Sequence, residues 1–210
     1  MTTPLNVVAV SGSLHNPSKT TVLVEAIAAA LGRALPAETH LIRLTELGPL
    51  LGGALSRGEL PAEAEAELQA IESADVLIVG SPVYRASFTG LFKHLFDFVD
   101  QYSLVDTPVF LAATGGSERH ALIIEHQFRP LFSFFQALTL PVGVYAHDSD
   151  FANYEISSPR LQERLEKAVA KAVPLIQSHV AEREEIARAL AGEIPPAEEP
   201  DPRRPVRLLS

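Results

Sequence analysis

The chain has 210 residues, a formal net charge of −9 and no cysteine. Its length suits one domain with a substantial core, and the missing cysteines exclude disulfides, thiol nucleophiles, iron–sulfur clusters and cysteine zinc sites. With an acidic balance, no basic stripe beside aromatic residues, no bilayer-length apolar run and no signal-like N-terminus, the expectation is a cytoplasmic protein that engages neither nucleic acid nor membrane. The pattern then alternates strand and helix. Leu5 to Val10 reads as a first strand. Thr20 to Leu35 reads as a first helix, whose Leu23, Ile27, Ala30 and Leu31 recur at helical spacing. His40 to Leu44 gives a second strand. Gly48, Pro49, Gly52, Gly53, Gly58 and Pro61 mark residues 48–61 as a long irregular loop. An acidic helix over Pro61 to Ser73 leads into the buried strand Val76–Val79. A helix over Thr89 to Val99 turns Leu91, Phe92, Leu95, Phe96 and Val99 inward. A strand over Pro108 to Thr114, a helix over about 122–138 and a strand over Pro141 to Tyr145 complete the alternation. Ser158 and Pro159 form the N-cap and first position of a final helix, which Pro174 is expected to kink or divide.

Five such units predict an α/β, flavodoxin-like fold: a five-stranded parallel sheet of order 2-1-3-4-5 with helices on both faces. The domain is expected over 1–180, the end of the C-terminal helix over 181–192, and a Pro-rich, charged, mobile tail over 193–210. In sheets of this order ligands lie beyond the carboxyl ends of the strands, which gathers the loops after strands one, three and four.

Each of those loops carries a signal. The first, Ser11-Gly12-Ser13-Leu14-His15-Asn16-Pro17-Ser18-Lys19-Thr20-Thr21, is hydroxyl-rich and opens directly into a helix. Unpaired backbone N–H groups and a helix dipole then converge on one point, a natural site for a phosphate. The loop matches neither G-x-x-x-x-G-K-[ST] nor G-x-G-x-x-G, so a terminal phosphomonoester, as in FMN, fits better than ATP or a dinucleotide. An ordinary strand-to-helix turn is the alternative. The loop Gly80-Ser81-Pro82-Val83-Tyr84-Arg85-Ala86-Ser87-Phe88-Thr89-Gly90 offers the flat surfaces of Tyr84 and Phe88 to a heterocycle, unless those rings simply fill the core. In the loop Thr114-Gly115-Gly116-Ser117-Glu118-Arg119-His120, the glycine pair lets backbone approach a ligand plane closely, although such pairs are also common in turns.

Gly12-Ser13, Ser18 and Thr20, then Gly80-Ser81-Pro82-Val83-Tyr84-Arg85-Ala86-Ser87-Phe88-Thr89-Gly90-Leu91-Phe92-Lys93, then Ala113-Thr114-Gly115-Gly116-Ser117, resemble the NAD(P)H-dependent FMN reductases. Within that family the chain is most similar to the reductase components of two-component alkanesulfonate and methanesulfonate monooxygenases, over roughly residues 5–180. The resemblance implies that NADPH or NADH reduces FMN and that reduced FMN passes to a separate FMNH2-dependent monooxygenase. It implies FMN contacts from Ser11, Ser13, His15, Ser18, Thr20 and Thr21 at the phosphate. Pro82, Val83, Tyr84, Arg85 and Ser87 would lie at the polar edge of the ring, with Thr114, Gly115, Gly116 and Ser117 beside it. Many relatives have Arg where this chain has His15, which shifts weight here to hydroxyls and amides. Hydride transfer asks for stacked rings rather than a catalytic side chain, and the sequence offers no acid–base pair or triad for one.

In the helix over 122–138, Ile124, Phe128, Leu131, Phe132, Phe135 and Leu138 form a stripe, with Phe134 well off it. So broad an apolar surface points to a subunit interface or a deeply buried helix. The resemblance implies a homodimer or homotetramer formed through this region, and a π-bulge in it at which His126 governs flavin release. No metal is expected, because His120 and His126 are poorly spaced as ligands and His147 with Asp148 and Asp150 reads as a solvated turn. Rival readings are an FMN-containing quinone or azo-compound reductase, and an electron-transfer flavodoxin; Arg85 and Arg119 near the site favour an enzyme.

Overall fold

The computed structural model describes residues 4–190; the segment 193–210 anticipated as a tail lies outside them. Four long parallel strands form the sheet: β1 (Leu5–Ser11), β2 (Ala37–Arg43), β3 (Val76–Pro82) and β4 (Pro108–Gly115). Their order is β2-β1-β3-β4, and the fifth position beside β4 is shared by two short strands, β5 (Leu138–Thr139) and β6 (Val144–His147), both parallel to it. The order is therefore the flavodoxin-like 2-1-3-4-5.

Side chains alternate across the sheet, and both faces are buried, as a parallel sheet requires. Val8, Val10, Leu77, Val79, Val109 and Leu111 face one core. That core is closed by α2 (Leu44–Leu51), α3 (Ala62–Glu72), α4 (Gly90–Phe98) and α5 (Arg129–Phe134). Val7, Ala9, Val76, Ile78, Phe110 and Val144 face the other, beneath α1 (Lys19–Ala34) and α6 (Pro159–Leu190). The hydroxyl of Ser158 accepts the Leu161 N–H at 3.2 Å, so the predicted cap starts α6.

Three expectations are corrected. Residues 48–51 are the second half of α2 rather than loop, despite Gly48 and Pro49. Gly48 is buried, and a Cβ there would run into Leu91 of α4, so the residue read as a helix breaker is a packing requirement between two helices. Of the two outcomes expected at Pro174, division does not occur: α6 continues through it. Pro174 and Ala170, whose carbonyl loses its i+4 donor, both lie on the exposed side, where that carbonyl is open to water. The fifth strand does not run through Pro141–Tyr145 but breaks over residues 140–143. Pro141 has no N–H to give the ladder, and the Arg129 guanidinium takes the carbonyls of Leu140 and Pro141 at 3.0 and 2.9 Å. A small antiparallel hairpin, β7 (Phe151–Ala152) with β8 (Glu155–Ile156), precedes α6 and was not anticipated.

The helix expected over 122–138 is shorter and of two kinds. Ile124–Phe128 is π-helical, with the Arg129 N–H bonded to the Ile124 carbonyl, and α5 follows it. Phe128, Phe132 and Phe135 are buried, whereas Phe134 is 64% exposed.

Candidate functional site at the carboxyl rim of the sheet

Three of the strands end level with one another. Ser11 pairs with Gly80 and Pro82 with Thr114 in the ladder, and beyond it Gly12 N–H reaches the Gly80 carbonyl at 2.6 Å and Val83 N–H the Thr114 carbonyl at 2.8 Å. The loops that follow start side by side. Among the described residues, every buried polar side chain except Thr107 lies here: Ser11, Ser13, Ser18 and Thr20; Ser81 and Thr89; and Thr114. Buried hydroxyls are costly unless paired, so their concentration at one end of a sheet needs a reason beyond stability.

In the first loop, which contains a cis Asn16–Pro17 bond, Ser18 caps α1 by accepting the Thr21 N–H at 3.2 Å. The Ser13 hydroxyl donates to the His15 carbonyl at 3.1 Å. The Ser11 and Thr21 hydroxyls pair at 2.8 Å, and those of Thr20 and Thr114 at 2.6 Å. Thr20 and Thr21 thus spend their hydroxyls knitting the loops together. The N–H groups of Lys19 and Thr20, in the first turn of α1, donate to no acceptor among the described residues. Open N–H groups at the positive end of a 16-residue helix, beside the buried Ser13 and Ser18, suit a phosphate. His15 is exposed. Lys19 Nζ is drawn aside to the Asp148 carboxylate at 2.9 Å.

In the loop after β3, Tyr84 and Ser87 exchange both backbone hydrogen bonds, at 2.8 and 3.0 Å. Arg85 and Ala86 between them have φ of +50° and +65°. This is the arrangement of a type I′ turn, which normally recruits Asn or Gly; with Arg and Ala it costs roughly 1–2 kcal/mol per residue. The N–H groups of Arg85 and Ala86 bond to no described residue. Tyr84 and Arg85 are exposed, while Pro82 and Val83 are half-buried. Phe88 belongs to the core, packed edge-on to Phe128 with ring centroids 5.5 Å apart. The core reading of that ring therefore holds, and Tyr84 is left as the open aromatic surface. At the root of the loop Ser81 Oγ accepts the Thr89 N–H at 3.1 Å, and Thr89 donates to the Gly12 carbonyl at 3.0 Å.

In the loop after β4 the glycines have a use the sequence did not reveal. A Cβ on Gly115 would lie 2.6 Å from the Tyr145 hydroxyl, and one on Gly116 would lie 3.0 Å from Asp148 Oδ2. The close approach at Gly115 is to Tyr145, which donates to the Ser117 carbonyl at 2.6 Å and so fixes the loop. Burial holds the Tyr145 phenol above its ordinary pKa and keeps it the donor. Tyr145 was missed because a tyrosine inside an apolar strand carries no motif. Gln127 was missed too: it lies in the π-helical segment and accepts the Ser87 hydroxyl at 3.0 Å. His126, beside it, is exposed. His147 caps a short 3-10 turn, accepting the Ser149 N–H and giving its own N–H to Asp150 at 2.9 Å.

Clefts of about 440 and 480 Å³ lie along the last turns of α6, lined by residues such as Asp75, Val105, His179 and Arg183. They contain none of the rim residues. The rim is where open N–H donors and buried hydroxyls converge.

A doubly wound sheet of this order, with open N–H groups at a helix start and a polar, aromatic-edged turn at one end, defines a flavodoxin-like α/β protein. Comparison with known proteins agrees. The family model described as NADPH-dependent FMN reductase matches residues 5–152, and the chain belongs to that family. It is 60% identical to a Pseudomonas fluorescens protein named NADH-dependent FMN reductase SfnF, over 86% of this chain and 96% of that one. It is 57% identical to a Pseudomonas aeruginosa protein named FMN reductase (NADPH), over 83% and 94%. Among solved structures, an oxidoreductase from Corynebacterium diphtheriae superposes with a TM-score of 0.74 at 32% identity, covering 84% of this chain and 99% of that one.

Proposed function

We propose that this chain oxidises NADH or NADPH, reduces FMN at the rim described above, and releases the reduced flavin to a separate flavin-dependent monooxygenase that acts on a sulfonate. FMN, when bound, supplies a ring that takes two electrons from the nicotinamide. The protein's part is to hold and orient. Ser13, Ser18 and the Lys19 and Thr20 N–H groups hold the phosphate. The turn at Tyr84–Ser87 offers its free N–H groups to the polar ring edge, and the Gly115–Ser117 segment lies beside the ring. No side chain is asked to move a proton, because hydride transfer between stacked rings needs orientation rather than acid–base help. The reading is carried by one observation: open N–H donors and buried hydroxyls gather at the start of α1, opposite a turn whose own N–H groups are also free. The partner oxygenase rests on the sequence resemblance set out above, and the choice of coenzyme stays between the two that the relatives' names give.

We also propose assembly of two or four copies through the π-helical segment and α5, where Phe134 is 64% exposed while Phe128 and Phe132 are buried, and Leu122, just before them, is 62% exposed. His126 would there regulate retention of the flavin between copies. The deciding assay follows nucleotide oxidation by the purified protein, with and without added free FMN. Oxidation that depends on added FMN supports the proposal. Quinone turnover with flavin carried through purification points to a quinone reductase, and no oxidation at all to an electron-transfer protein.

A further inference from the structure

Two consecutive residues of the β3–α4 loop meet two consecutive residues of the π-helical segment. Ser87 donates its hydroxyl to the Gln127 side-chain carbonyl at 3.0 Å, and Phe88 packs edge-on against Phe128 at 5.5 Å. Neighbours on an α-helix point about 100° apart, so two in a row do not readily face one small loop; a π-helix, with more residues per turn, brings them closer in angle. Phe88 and Phe128 anchor in the core with Phe92, whose ring lies 5.4 and 5.6 Å from theirs. The half-buried Ser87–Gln127 bond is the outer contact. It acts on the residue that closes the strained Arg85–Ala86 turn. Such a turn persists only where its surroundings over-determine it.

We propose that Gln127 is a positioning residue for the flavin ring: through Ser87 it holds the Tyr84–Ser87 turn in the left-handed shape that aims the Arg85 and Ala86 N–H groups at the ring edge. This rests on the rim binding a flavin, and it extends that reading to a residue that does not touch the ligand. The turn meets the ring and not the phosphate, so loss of the contact weakens FMN and riboflavin by the same factor. It leaves the KM for the nucleotide at saturating flavin unchanged.

The experiment titrates FMN and riboflavin, by quenching of flavin fluorescence, into the parent protein, Gln127→Leu, Gln127→Glu, Ser87→Ala and the Ser87→Ala/Gln127→Leu double variant. Thermal melts establish that each is folded. One lost hydrogen bond gives about a fivefold rise in Kd for both flavins in Gln127→Leu and in Ser87→Ala. The double variant loses no more than either single one, because both remove the same contact. Gln127→Glu keeps an acceptor for Ser87 and recovers most of the affinity. Parent-like flavin affinity in folded Gln127→Leu overturns the inference, as does additive loss in the double variant. A parent protein that binds neither flavin overturns the flavin reading itself, a result distinct from both.

Discussion

The hydroxyls of Thr20 and Thr114 lie 2.6 Å apart across 94 residues of sequence, and this contact joins the first helix to the end of β4. Both side chains are almost fully buried, so neither hydroxyl has water as an alternative partner. Thr20→Val strands the Thr114 hydroxyl and is expected to cost about 1–3 kcal/mol of stability. Thr20→Val combined with Thr114→Val removes donor and acceptor together and should cost less than the two single changes summed. Urea unfolding of the three variants measures this. Strict additivity would mean that the pair does not interact.

In the proposed site Ser18 distinguishes the phosphate from the ring. Its hydroxyl is buried at the start of α1, where it accepts the Thr21 N–H. On that proposal Ser18→Val removes a hydroxyl from the anion, and it weakens the local cap. It is expected to weaken FMN roughly tenfold, the scale of a hydrogen bond to a charged group, and riboflavin much less. Paired titrations read the ratio. An equal loss for both ligands places the phosphate elsewhere.

The two glycines after β4 differ in what they touch. Gly115→Ala drives a methyl group into Tyr145, whose bond to Ser117 must then break, so this variant should lose both flavin affinity and stability. Gly116→Ala meets only the outer oxygen of the exposed Asp148, which can swing away, and should be milder in both respects. Melting temperatures and FMN titration of the two variants test the order. The reverse order contradicts the packing.

His179, on α6, has a buried Nε2 without a hydrogen-bond partner among the described residues. Burial pushes its pKa below the ordinary 6.5, and neighbouring Arg183 pushes it the same way against weaker pulls from Asp106, Glu182 and Asp75. A histidine held neutral in the folded state contributes stability above its unfolded pKa. That contribution is lost as pH falls from about 6.5 through the lower folded value. Stability should therefore drop between neutral and mildly acidic pH, and His179→Gln should flatten that limb. Urea midpoints across the range show whether it does.

Sequence reasoning reached furthest where one residue does one local job. The run into Ser11, the Ser18 cap and the hydroxyl-rich turn announce β1, the loop and α1, because strand period, cap and helix period change within a few residues. It failed where distant residues decide. Gly48 looks like a breaker until Leu91 is packed against it. Pro174 looks like a helix divider until its exposed position on α6 is known. The broken fifth strand depends on Arg129, which lies in another element. At the site, the hydroxyl positions were readable, but their partners were not: that Thr20 would engage Thr114, or Ser87 engage Gln127, depends on how the loops meet in space.

The interruption of the fifth strand also bears on association. Two short pieces, a proline between them and an arginine on the carbonyls leave no unbroken row of backbone donors and acceptors along that margin of the sheet. On the opposite margin β2 carries the exposed polar side chains of Glu38 and His40. Neither border favours ladder pairing with a second molecule, so the association proposed above is expected to join helical surfaces rather than to extend the sheet.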